Sequence, residues 1–215
     1  MVRNRNSRSR PLTPLLLALG LLGVVAWTAT SFAEPDAAPP MLFLNDPSTF
    51  DGLETDTARS LAYFLEAGKV ITHPRCLNCH PSGDSPLQGD AMEPHEPMVV
   101  HGRDGHGAVG QRCQTCHFEH NFDAGGVPGA KHWHLAPPEM AWVGLSLGEI
   151  CRQLKDPQRN GGRDLEEIST HMAEDPLVGW GWEPGAGRQP VPGDWETFGA
   201  LIRAWVDTGA VCPPE

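Results

Sequence analysis

Apolar residues recur at helical spacing in four stretches of the chain and fall out of period between them. In "DTARSLAYFLEAGKV" (56–70), Ala58, Leu61, Ala62 and Leu65 share one helical face, and Gly68 offers a natural stop. "SLGEICRQLKD" (146–156) opens on a capping box, Ser146 with Glu149 three residues on, and ends before Pro157. "RDLEEISTHMAED" (163–175) sets Leu165, Ile168 and Met172 on one face, and Met172 reads as core. "DWETFGALIRAWVDTG" (194–209) does the same with Trp195, Phe198, Ile202 and Trp205, and Gly209 closes it. Residues 34–50 read as a linker and an entry strand. From 81 to 142 no period persists, which predicts loop with short turns. The expected fold is mainly α, a loop-rich middle with a small C-terminal three-helix unit.

Composition sharpens that picture. The 215 residues include 24 glycines and 21 prolines, concentrated in 74–138 and 176–193. Ordered loops of such length need something to pack on. A large rigid apolar group would supply it.

The N-terminus points to export. Residues 1–10 carry four arginines and no acid, the apolar run 14–27 follows, and small residues lead to Ala33. This is the three-part pattern of a secretory signal, with cleavage expected after 33. An uncleaved anchor is the competing reading, but the apolar run is short of the ~20 residues a span needs. No stable membrane span is expected once the signal is gone, and the expected location is the periplasm. Four of the 16 basic and none of the 27 acidic residues lie in 1–33, leaving 12 basic against 27 acidic and a net −15. Such a chain is repelled by nucleic acid and suited to a protein partner with a basic patch.

Six cysteines stand at 76, 79, 113, 116, 151 and 212. The first four form two C-x-x-C-H motifs, "CLNCH" at 76–80 and "CQTCH" at 113–117. By spacing alone, two C-x-x-C pairs can hold zinc, but their separation exceeds the usual ~15–20 residues and zinc needs no histidine after each pair. A thioredoxin-like redox pair needs one C-x-x-C beside a βαβ pattern, which is not visible. C-type haem attachment accounts for every fixed residue. Both thiols bond the haem vinyl groups, and the next histidine reaches the iron. Cys76, Cys79 and His80 are thus expected to hold one haem c, and Cys113, Cys116 and His117 a second. Cys151 and Cys212, outside the motifs, are expected to form a disulfide in an oxidising compartment.

Each iron has a sixth position. His95 in "EPHEP" and His134 in "HWHLAPPEM" are the expected distal ligands, because proline-bounded loops would hold their imidazoles. His106, His101 and His171 are reserves, and Met140 or Met98 is the methionine alternative. Two imidazoles would give each haem a lower potential than Met/His ligation.

The stretches "HPRCLNCHPSGD", "RCQTCH", "NFDAGGVPGAKHWHLAPPEMAW", "EICRQLKDPQRNGG" and "HMAEDPLVGWGWEPGAGR" resemble a family of exported bacterial dihaem c-type cytochromes often labelled as a subunit of isoquinoline 1-oxidoreductase. The resemblance spans about residues 70–212. It implies two haem c groups on the six motif residues and an electron-carrier role, with a molybdenum hydroxylase as a possible redox partner. The expected organisation is a signal at 1–33, a linker and entry segment at 34–55, a dihaem region at 56–142 and a helical unit at 143–215. A dihaem peroxidase, which would keep one iron open, is the rival from another class.

Overall fold

The computed structural model describes residues 43–215; the predicted signal and the start of the linker lie outside the described residues. Among the described residues the architecture is mainly helical, as the periodicity implies. Helices α1 (Asp56–Ile71), α2 (Pro74–Leu77), α3 (Leu147–Leu154), α4 (Leu165–Glu174), α5 (Pro176–Gly179) and α6 (Trp195–Asp207) are joined by turns and short 3-10 segments. One two-residue antiparallel ladder interrupts the middle, β1 (Leu87–Gln88) with β2 (Glu93–Pro94).

Each longer helix starts where its sequence provides an acceptor for the unpaired N–H groups of a first turn. Thr55 Oγ1 accepts from the Ala58 N–H at the start of α1. At α3 the Ser146 and Glu149 side chains cap reciprocally, as their spacing predicts. Asp164 and Glu167 form a second capping box at α4, and Asp194 caps α6. Gly209, at φ +104°, ends the α6 segment as expected.

The core forms where α1 and α4 pack on α6. Phe64 of α1 meets Trp205 of α6 with ring centroids 4.7 Å apart, and Ile150, Leu154, Ile168, Leu201 and Ile202 close around them. Fully burying a side chain of this size contributes roughly 1.5–3 kcal/mol. Helix α1 therefore shares one core with the helices of 143–215. Trp195, Phe198, Ile202 and Trp205 line one face of α6 as predicted, with Trp195 only partly buried.

Two expectations about the first helix are corrected. Its buried face is Ser60, Tyr63, Phe64, Ala67, Val70 and Ile71, while Leu65 is exposed. The helix is apolar nearly all round, and α6 selects the aromatic side. Gly68 does not stop it, since α1 runs on to Ile71. A Cβ at Gly68 would lie 2.4 Å from Leu147 Cδ2, so this glycine admits the start of α3. No entry strand appears at 43–50. Asp46 caps a 3-10 turn at Pro47–Phe50 instead, and proline at its first position fixes the φ that such a turn needs. The Asn45 N–H donates to Glu66 Oε1 at 2.8 Å, tying this segment to α1.

Cys151 and Cys212 are joined in a disulfide with Cα atoms 5.5 Å apart. This is the pairing expected of the two cysteines outside the motifs, and it accords with an oxidising compartment. No helix among the described residues is long and apolar enough to cross a membrane.

Candidate functional site

Both C-x-x-C-H motifs fold into the same backbone device. At the first, α2 delivers Cys76, and the N–H groups of Cys79 and His80 both donate to the Cys76 carbonyl, each at 3.1 Å. At the second, the turn Cys113–Thr115 does likewise, with Cys116 N–H at 3.1 Å and His117 N–H at 2.9 Å from the Cys113 carbonyl. One tight turn thus gathers two thiols, and the histidine follows at its end.

The two imidazoles are also held alike. His80 Nδ1 donates to the Met140 carbonyl at 2.7 Å, and His117 Nδ1 donates to the Pro128 carbonyl at 2.7 Å. A carbonyl cannot donate, so each of these nitrogens carries the ring proton and each Nε2 is left with its lone pair. Fixing the tautomer through an outer hydrogen bond is how proteins prepare a metal-binding histidine. Each ring further lies flat against a tryptophan: His80 on Trp142 at 3.5 Å and 7°, His117 on Trp133 at 4.7 Å and 8°. Burial keeps both rings neutral, pushing His80 down to about 3 and lowering His117. The neutral imidazole is the form that ligates.

The surroundings of the two motifs differ. Cys76, Cys79 and His80 open onto a cavity of about 680 Å³, bounded by Ile71, Leu154, Ile168, Met172 and Phe198 from the core. Pockets for cofactors and small ligands span about 300–1,000 Å³. The second motif lies at the surface, with Cys116 exposed and the large apolar side chains of Met98, Val109, Phe118 and Phe122 open around it in sequence. A largely apolar cavity with two thiols and an imidazole at its wall suits a haem that would be held by two thioethers and one imidazole nitrogen. The second motif presents the same donors closer to the surface.

Burial drives the Cys76 thiol up to about 12 and the Cys79 thiol up to about 11. An attacking cysteine in a redox C-x-x-C is shifted the opposite way. The Ala136 N–H donates to the Cys79 carbonyl at 3.2 Å, the adjacent Leu135 N–H donates to the Gly105 carbonyl at 2.8 Å, and that carbonyl lies 3.9 Å from Cys113 Sγ, so the two motifs are close neighbours. Even so, no three His, Cys, Asp or Glu side chains among the described residues converge as a metal cage.

The predicted distal histidines separate between the motifs. His95, on the loop after β2, has its ring centroid 5.9 Å from that of His117. Two imidazoles on one metal ion, each bound at about 2 Å, need a spacing of this order. His95 Nδ1 is held by the Pro97 carbonyl at 2.9 Å, leaving Nε2 free. His134 lines the cavity of the first motif instead, stacked on His106 at 5.1 Å, and His171 of α4 lines the same cavity. His101 is there too, but both its ring nitrogens meet carbonyls, Gly102 at 2.8 Å and Ala136 at 3.0 Å, so neither is free for a metal. Met140 is buried, and its own carbonyl holds His80, which puts its backbone behind the His80 ring.

Sequence reading missed the outer partners. The carbonyls of Met140 and Pro128 carry no side-chain signal, and Trp142 stands 62 residues from the histidine it supports, too far for any local pattern to link them. The turn that feeds the second motif depends on Gly107, at φ +88°, where a Cβ would lie 2.3 Å from the Gln111 carbonyl oxygen. Gly107→Ala is expected to destabilise the protein by about 1–3 kcal/mol, the usual strain of a non-glycine residue in that region. Denaturant unfolding checks this, and an unshifted midpoint would mean that the turn rearranges freely. No protein-family model, curated protein or solved structure matches the chain.

Proposed function

We propose that this chain is an exported dihaem c-type cytochrome that carries electrons in the periplasm. The observation that carries the reading is the threefold repetition at the two motifs. Each has the same thiol-gathering turn, an Nδ1 committed to a backbone carbonyl, and an imidazole laid against a tryptophan. Zinc half-sites or redox dithiols do not call for a repeated, pre-oriented histidine.

Bound haem supplies one-electron iron chemistry. The chain's residues supply everything else. Cys76 and Cys79 anchor the first group, and Cys113 and Cys116 anchor the second. His80 and His117 are the proximal ligands, their Nε2 atoms kept available by the Met140 and Pro128 carbonyls. His95 is the distal ligand at the second site. The core side chains around the first cavity give it apolar walls, and the nearness of Cys79 to Cys113 keeps the two groups within one electron-transfer unit.

The rival peroxidase reading requires one iron with an open position. Histidines with a free ring nitrogen stand at both sites, which favours two six-coordinate, low-spin groups and hence electron transfer. The partner is a redox protein with a basic docking patch. A molybdenum hydroxylase passing electrons toward respiration is the partner class that the family resemblance suggests. Because the mature chain is strongly acidic, docking should weaken as salt rises.

A pyridine haemochrome assay on the exported protein is expected to give two haems per chain. Near-infrared spectra should lack a methionine–iron band. Purified protein without haem, holding zinc instead, would end this reading.

A further inference from the structure

The cavity at the first motif contains His106, His134 and His171, yet one iron there has a single sixth position. Resting on the dihaem reading, we infer that His171 of α4 is that sixth ligand and that Asp175 is its positioning residue.

His171 and His134 line this cavity together with His80, and each has its Nδ1 held, so they are the contenders for the same metal. Their supports differ in kind. His134 sits in a loop, its Nδ1 taken by the carbonyl of His132 two residues earlier, and its ring lies flat on His106 at 12°. His171 rides on a helix closed by a capping box and packed on α6. Its Nδ1 donates to Asp175 Oδ2 at 3.0 Å, one helical turn on. The other carboxylate oxygen of Asp175 accepts from the Leu177 N–H at 2.9 Å as it caps α5. The carboxylate is therefore fixed before it fixes the imidazole.

That chain of contacts does three things. It sets the His171 tautomer, leaves Nε2 bare, and makes the ring a stronger donor, the role a carboxylate plays behind many metal-bound histidines. A ligand on a packed helix also holds its position more tightly than one on a loop. Ile168 and Met172, flanking His171 on α4, line the same cavity and keep that wall apolar.

The test uses ferric electron paramagnetic resonance and redox potentiometry on the holoprotein. His171→Ala is expected to keep two covalent haems by the haemochrome assay, while half of the iron turns high-spin and added imidazole restores the low-spin signal. His134→Ala is expected to stay low-spin at both sites. Asp175→Asn should keep both sites low-spin but raise one of the two potentials by about 59 mV, a tenfold change for one electron. A fully low-spin His171→Ala protein, or a high-spin His134→Ala protein, overturns the assignment. If His171→Ala does not accumulate, Asp175→Asn decides: unchanged potentials overturn the proposal. Absence of haem from the wild type would instead overturn the dihaem reading beneath it.

Discussion

Exchanging Cys76 and Cys79 together for serine is expected to abolish accumulation of folded protein, whereas exchanging Cys113 and Cys116 leaves a folded chain with one haem. The asymmetry follows from where the motifs sit. The first opens onto a cavity of about 680 Å³ whose walls are the hydrophobic core itself. A large apolar group seated there covers those walls, and without it they face water at about 25 cal/mol for each Å² of apolar surface left uncovered. Whole domains are stable by only about 5–15 kcal/mol. The second motif has its Cys116 thiol at the surface, and none of the residues of its turn is buried. Losing a group there does not hollow the core. Yield of exported protein, haem per chain and helical circular dichroism measure the difference. Equal yields from both double variants would mean that the cavity is not filled by the group anchored at Cys76 and Cys79.

The helical half of the molecule was legible because its signals are local. Ser146 with Glu149 marks a helix start within four residues, and Trp195, Phe198, Ile202 and Trp205 mark a face within a dozen. Helix α1 was located correctly, but its buried side was not. Tyr63, Phe64, Ala67 and Ile71 compete with Leu61, Ala62 and Leu65, and the sequence alone offers no reason to prefer either set. The preference comes from Trp205, more than 130 residues away, which packs on Phe64. Burial on a helix surrounded by apolar residues is decided by its tertiary partner.

The candidate site divides along the same line. Two cysteines and a histidine fixed by a single turn are visible as a motif, since the chemistry needs them adjacent. The sixth position imposes no spacing. Any histidine that the loops or α4 bring across the cavity can fill it. His95 and His134 both lie beside a motif in space, yet at different motifs, and only the folded chain separates them. The carboxylate behind His171 stands four residues on within the helix expected over 163–175, but only the fold shows Asp175 leaving that helix to cap the next turn.

Replacing both Cys151 and Cys212 with alanine is expected to lower stability by about 4 kcal/mol, with the haem content unchanged. The bridge joins α3 to the segment after α6 and closes a loop with a sequence separation of 61. Crosslinks stabilise chiefly by restricting the unfolded chain, and a loop of this size is worth roughly 4 kcal/mol in the chain-entropy model. The native contacts around the bridge do not depend on it. Trp205 Nε1 donates to the Val211 carbonyl at 3.0 Å, Lys155 Nζ to the Ala210 carbonyl at 2.6 Å, and Arg152 pairs with Glu215 at 2.6 Å. Gly148 admits the chain end, since a Cβ there would lie 2.5 Å from the Pro214 carbonyl oxygen. The folded state of the variant should therefore keep its shape, and the loss should appear as extra freedom in the unfolded state. For a domain of this size each 1 kcal/mol moves the melting temperature by about 2–4 °C, so a fall of roughly 8–16 °C is expected. Thermal unfolding of the variant, compared with wild type in the presence and absence of a reductant, measures it. Reductant should lower the wild-type melting temperature toward that of the variant and leave the variant itself unmoved. A variant that melts within about 2 °C of the oxidised wild type, less than 1 kcal/mol by the same scale, would mean that the bridge constrains the unfolded chain far less than its loop length implies.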